Sequence, residues 1–100
     1  MTSIQINDGN GNPVRYAHIE DGNLILQFEY YSRFEGESDY EVIQTIEPSE
    51  FESINLMFEI DLNLDILSVM QKLSDTGKGQ DLVDALNSNQ IKNSLWTWMS

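Results

Sequence analysis

Residues 21–31 have the sequence Asp-Gly-Asn-Leu-Ile-Leu-Gln-Phe-Glu-Tyr-Tyr. The segment from Leu24 to Tyr31 favours an extended strand, because aliphatic and aromatic side chains dominate it. One face of that strand would carry Leu24, Leu26, Phe28 and Tyr30, and the other Ile25, Gln27, Glu29 and Tyr31. The pair Asp21-Gly22 before it is typical of a two-residue hairpin turn. A run this apolar also argues against a disordered chain.

The residues before this hairpin predict two more strands. From Ser3 to Asn7 the residues alternate, with Ile4 and Ile6 on one face. Residues 8–13 follow as Asp-Gly-Asn-Gly-Asn-Pro, which is a strong turn signal. The segment from Val14 to Glu20 is then the second strand of the predicted sheet.

A fourth strand is predicted after a polar loop at residues 32–38. It runs from Tyr40 to Ile46, with Tyr40, Val42 and Ile46 on one side. Consecutive strands joined by short turns are most simply arranged as an antiparallel meander.

The second half of the chain changes to a helical period. Pro48-Ser49-Glu50 is typical of a helix start, and a break is expected across Asp61–Asp65. A second helix should begin near Asn63, with Asp65 at its positive end. After a connector at residues 74–79, a short helix is predicted over Gln80–Asn87. The expected apolar stripes are Phe51, Ile54, Met57 and Phe58, then Ile66, Leu67, Met70 and Leu73, then Leu82, Val83 and Leu86.

The tail from Ile91 to Met99 allows two interpretations, a final strand with Trp96 and Trp98 on one face or a short irregular segment. The two tryptophans either cap the core or the exposed side of the sheet, or form an aromatic contact for a partner. The chain is therefore predicted to be one α+β domain, residues 1–100. An antiparallel sheet of four to five strands would form mainly in the N-terminal half, with two to three helices on one face from the C-terminal half.

The composition excludes several classes of protein. The 100 residues include no cysteine, which excludes a disulfide-stapled miniprotein and a thiolate metal site. No secretory signal is visible at the N-terminus, and no apolar run approaches the ~20 residues needed to span a bilayer. We therefore expect a cytoplasmic protein.

The charge is the unusual feature of the chain. Seventeen Asp and Glu residues stand against five Lys and Arg, a formal net charge of −12. Nucleic-acid backbones and anionic membranes would repel such a chain, so neither is expected as a partner. A basic protein is the expected partner, with solubility alone as the competing explanation.

The best functional signal is the acidic middle of the chain, where carboxylates alternate with aromatic side chains. No Lys or Arg lies between Glu35 and Glu52. Such a surface suits recognition of a basic protein, because opposite charges speed association, although a merely solvated loop and strand edge would share this pattern. The predicted partner-binding residues are Tyr31, Phe34, Glu35, Glu37, Asp39, Tyr40, Glu41, Glu47, Glu50 and Glu52.

No catalytic residue, cofactor or metal is expected. His18 is the single histidine, and without a cysteine or a serine motif it cannot support a convincing catalytic triad. Residues 61–65, Asp-Leu-Asn-Leu-Asp, match the start of a calcium loop, but Ile66 and Lys72 occupy its glycine and glutamate positions. We interpret that string as helix capping and Asp8–Asn12 as a hairpin turn.

The second half of the chain resembles small immunity proteins of bacterial polymorphic toxin systems, including those of contact-dependent growth inhibition. The resemblance rests on the strand Tyr40–Ile46, the sequence Pro48-Ser49-Glu50-Phe51, the two helices after it and the aromatic tail after Ile91. It implies a cytosolic protein, monomeric until it forms a one-to-one complex with a cognate toxin. Such toxins are often basic nucleases, which the immunity protein neutralises by covering the active site.

Two other functions fit an acidic chain of this size. An acidic mimic of nucleic acid, encoded by a phage or mobile element, would inhibit a DNA-binding enzyme; a small secretion chaperone would carry a cargo protein. Mimics spread acids widely, whereas Asp84 is the sole acid from Leu82 to Ser100. Secretion chaperones generally open with a helix, whereas this chain opens with predicted strands.

Overall fold

The computed structural model describes residues 3–30 and 40–99, which form an α+β domain built on one five-stranded antiparallel sheet with the strands in chain order. This confirms the predicted fold class, and the tail adopts the strand rather than the irregular alternative. The strands are β1 (Ile4–Asn7), β2 (Pro13–Glu20), β3 (Asn23–Tyr30), β4 (Tyr40–Ile46) and β5 (Ser94–Met99). The helices are a 3-10 turn (Pro48–Glu50), α1 (Phe51–Met57), α2 (Ile66–Asp75) and α3 (Gly79–Asn87).

Both N-terminal turns are formed by the residues that predicted them. Asp21 and Gly22 have φ angles of 52° and 82°, the left-handed values that a tight two-residue hairpin needs. Between β1 and β2, the carboxylate of Asp8 accepts the N–H groups of Asn10 at 2.8 Å and Asn12 at 3.0 Å. The hydrogen bonds from Asn12 and Asn10 stabilise the charged form and hold the pKa of Asp8 below its ordinary value.

The core lies between one face of the sheet and the helices. Leu24, Leu26 and Ile46 are fully buried on that face, because side chains alternate along each strand. The helices add buried apolar side chains to the same cluster, including Ile54, Val69, Met70, Leu73, Leu82 and Leu86. Within residues 3–30 and 40–99, no helix is long and apolar enough to cross a membrane.

The helices differ from the predictions in three places. In the predicted apolar stripe of α1, Phe58 packs against the core, whereas Met57, the last residue of the helix, is 39% exposed. α2 begins at Ile66, not near Asn63, because the N–H of Asn63 bonds to the carboxylate of Asp61 in a turn. α2 also continues to Asp75, which shortens the connector to residues 76–78.

At the β1 edge of the sheet, the end of the strand contacts α2 and the start of α3. The hydroxyl of Ser74 accepts the N–H of Asn7 at 2.9 Å, which gives a partner to an edge-strand donor. Gly79 begins α3 against the same strand, where a Cβ atom would overlap the carbonyl of Asn7. β5 is the strand at the opposite edge of the sheet, and it pairs with β4.

Candidate protein-binding surface

The predicted partner-binding residues divide into three groups. Tyr31, Phe34, Glu35, Glu37 and Asp39 lie outside the described residues. Tyr40 and Glu41 begin β4, while Glu47, Glu50 and Glu52 follow its other end. A seven-residue strand is about 20 Å long, so the structure separates the second group from the third.

Tyr40 and Glu41 point to opposite faces of the sheet because they are consecutive in a strand. The Tyr40 ring is 37% exposed, and its centroid lies 6.3 Å from that of Phe28. Glu41 lies on the face opposite the core, where it accepts a hydrogen bond of 3.1 Å from the amide of Gln27. These two residues therefore cannot present one side-chain patch to a partner.

The third group surrounds the start of α1. Glu47 precedes the 3-10 turn and Glu52 lies in the first turn of α1; both side chains are exposed. Glu50 is partly buried, and its carboxylate accepts the N–H of Lys92 at 3.1 Å. Glu47 and Glu50 share a small cleft with Lys92 and Thr45.

Carboxylates continue beyond Glu52 through the loop that joins α1 to α2. The chain contains no Lys, Arg or His from residue 34 to residue 71. Within residues 3–30 and 40–99 the one contact with the geometry of a salt bridge joins His18 Nε2 to Glu20 Oε2 at 3.7 Å, so no described Lys or Arg forms a salt bridge with these acids. From residue 47 to residue 71 the carboxylates are Glu47, Glu50, Glu52, Glu59, Asp61 and Asp65.

The same segment exposes four apolar side chains, of which the sequence patterns singled out only Met57, and that one as a member of the apolar stripe. Leu56 is 60% exposed and Leu62 is 53% exposed, and Met57 and Leu64 are also exposed. Leu56 lies off the stripe of Phe51, Ile54 and Phe58, so its helical phase could have predicted this. We call these four side chains, together with the six carboxylates, the α1 surface.

A groove lies within the α1 surface, between α1 and the loop at residues 61–65. Its volume is about 370 Å³, and its lining includes Phe51, Glu52, Asn55, Leu62, Leu64 and Asp65. Asn55 is only 4% exposed and joins the two sides of the groove. Its side-chain amide donates to the carbonyl of Asp61 at 3.0 Å, and its main-chain carbonyl accepts the N–H of Ile60 at 2.8 Å.

Asp65 forms the end of the groove and caps α2, as the sequence predicted. Its carboxylate accepts the hydroxyl of Ser68 at 2.7 Å and the N–H of Ser68 at 3.2 Å. These hydrogen bonds stabilise the charged form and lower the pKa of Asp65 below its ordinary value. Across residues 3–30 and 40–99, no three His, Cys, Asp or Glu side chains come together as a metal site would need.

The β5 edge is a second exposed apolar region. Trp96 and Trp98 are 51% and 48% exposed and pair with Ile43 and Glu41, which confirms that they share a face. That face is opposite the core, so the tryptophans cover part of the second side of the sheet. Leu95 is 60% exposed although it shares the core face, because α2 and α3 contact β1 and β2.

No protein-family model, curated protein or solved structure matches this chain.

Proposed function

We propose that this protein is an inhibitor that binds a cationic protein through the α1 surface and catalyses no reaction. More specifically, we propose an immunity protein that acts in the cytoplasm. It would neutralise a cognate toxin, often a basic nuclease, in a one-to-one complex.

One observation carries the proposal: the α1 surface combines six carboxylates, two of which share a cleft with Lys92, with exposed apolar side chains. Exposed apolar groups such as Leu56 and Leu62 are typical of contact surfaces, since burying them on association is favourable. The six carboxylates of the α1 surface would repel an acidic partner and attract a basic one. A surface needed for solubility alone would not require the leucines.

The binding process follows from these two kinds of group. Long-range attraction toward the carboxylates would orient a basic partner and raise the association rate. Leu56, Leu62 and their neighbours would then lose contact with water and slow dissociation. Inhibition would result from covering the cationic substrate site of the partner, where a phosphate backbone would otherwise bind.

The identity of the partner is tested by co-expression with the protein encoded by the neighbouring open reading frame. We expect the full chain to restore growth of cells that make the neighbouring toxin, and to copurify with it. A variant with Glu47, Glu50, Glu52 and Glu59 changed to Gln should protect poorly. The matched control changes Glu20, Asp75, Asp81 and Asp84 to Gln or Asn, and should protect as well as the unmodified chain. Failure of the unmodified chain to bind or protect against any adjacent toxin would contradict the proposal.

A further inference from the structure

The groove in the α1 surface contains a buried acceptor without a donor. Within the described residues, Asn55 Oδ1 has no hydrogen-bond partner, although almost none of its surface is exposed. Buried polar atoms are nearly always paired, and an unpaired one costs stability. Asn55 lines the groove, but Oδ1 itself has almost no accessible surface, so an occupant must shift the groove lining to reach it.

The orientation of the Asn55 amide is fixed by its other hydrogen bond. Its Nδ2 donates to the carbonyl oxygen of Asp61 at 3.0 Å. Exchanging the oxygen and nitrogen would place two acceptors against each other. The unpaired atom beside the groove is therefore an acceptor, which requires an N–H or O–H donor.

The groove walls add two further requirements. Phe51, Leu62 and Leu64 are apolar, so they favour the methylene or methyl groups of an occupant. Glu52 lies three residues before Asn55 on α1, a spacing that puts both on one side of a helix. Asp65 supplies a second carboxylate at the groove. An occupant that satisfies all these groups has an apolar stem and a cationic head rich in N–H donors.

We propose that the groove binds an arginine side chain of the cationic partner. The methylene groups would lie against Leu62 and Leu64, one N–H would donate to Asn55 Oδ1, and the charge would meet Glu52 and Asp65. Arginine suits the site better than lysine, since its planar fork can donate to a neutral acceptor and a carboxylate at once. This inference rests on the proposed function and names the group that the α1 surface recognises.

The test uses the full chain and blocked tripeptides as probes, followed by NMR. Acetyl-Gly-Arg-Gly-amide should shift the side-chain amide signal of Asn55 and the methyl signals of Leu62 and Leu64 along saturable curves. The same peptide with citrulline keeps the length of arginine and a planar group with three N–H donors, but it lacks the charge and has a carbonyl oxygen in place of the other two donors. It should bind ~5-fold more weakly. A lysine peptide should fall between them.

Matched variants separate the groove from general attraction to an acidic protein. Glu52→Gln should weaken the arginine peptide ~3-fold, whereas Glu20→Gln, an equal charge change outside the α1 surface, should leave its affinity unchanged. Asn55→Leu should abolish the preference for arginine. If that variant does not fold, the comparison of Glu52→Gln with Glu20→Gln still tests whether the groove binds the peptide.

Two outcomes would overturn the inference. Equal binding of the arginine and citrulline peptides would mean that the groove does not recognise the positive charge of arginine. Unsaturable shifts at acidic residues throughout the chain, with none at Asn55, would mean that water alone satisfies its oxygen. Either outcome would leave the proposed function standing if neutralising Glu47, Glu50, Glu52 and Glu59 still reduced protection of cells against the toxin.

Discussion

The α1 surface and the β5 edge both expose large apolar side chains, but they differ completely in charge. Six carboxylates lie among the exposed leucines of the α1 surface, whereas Ser94–Met99 contains no charged residue. Leu56 and Leu95 have the same exposed fraction, 60%, so apolar exposure does not distinguish the two regions. The difference shows that exposure marks a possible contact, while charge determines which partner approaches it and how fast.

The two regions are also held in different ways, and this predicts the largest effect. α1 is anchored through Ile54, which is fully buried, whereas β5 is held by main-chain pairing with β4. Ile54→Ala should therefore lower the free energy of unfolding by ~2–5 kcal/mol, because it leaves a cavity in the core. Leu95→Ala should change it by less than ~0.5 kcal/mol. Urea denaturation of both variants measures the contrast, and similar losses would contradict it.

The apolar side chains should differ in their effect on the partner complex. Changing Leu62 and Leu64 together to Ala should weaken the proposed complex with a toxin ~10–100-fold, mainly through faster dissociation. Leu95→Ala makes one such truncation at the β5 edge and should change affinity less than ~2-fold. Surface plasmon resonance separates the rates. A larger loss of affinity from Leu95→Ala would indicate that the partner binds at β5 and not at the α1 surface.

Much of the fold could be predicted because its signals are local. Period-two alternation and turn residues such as Asp21-Gly22 located β1 to β4 within about one residue of their observed ends. The tail stayed ambiguous because β5 exists only through pairing with β4, a contact that no local pattern encodes. The start of α2 was misjudged because Asp61 draws Asn63 into a turn.

The candidate site was less predictable than the fold. Glu47, Glu50 and Glu52 were predicted from charge and do lie in the α1 surface, whereas Tyr40 and Glu41 lie at the other end of β4. The exposure of Leu62 and Leu64 depends on how the loop at residues 61–65 folds back on α1. Asn55 resembles an ordinary polar helix residue in the sequence, and only that fold-back buries it.

A smaller effect concerns the cap of α2 beside the groove. The hydrogen bonds to Asp65 lower its pKa in the folded chain, so its stabilising contribution is present above the unfolded pKa of about 3.9 and is lost as the pH falls through the folded value. Asp65→Asn should lower the melting temperature by a few degrees at neutral pH and remove part of the acid sensitivity. Asp75→Asn, an equal charge change at the other end of α2, should do neither. Equal pH profiles for the two variants would contradict this role.

The central claim is that carboxylates gathered at the α1 surface, rather than net charge, attract a cationic protein. The most direct measurement is the association rate with the cognate toxin for two variants of equal total charge, followed by stopped flow at low and high salt. Neutralising Glu47, Glu50, Glu52 and Glu59 should slow association ~10-fold or more at low salt and flatten the salt dependence. Neutralising Glu20, Asp75, Asp81 and Asp84 should have a much smaller effect. Equal slowing by both sets would contradict the claim.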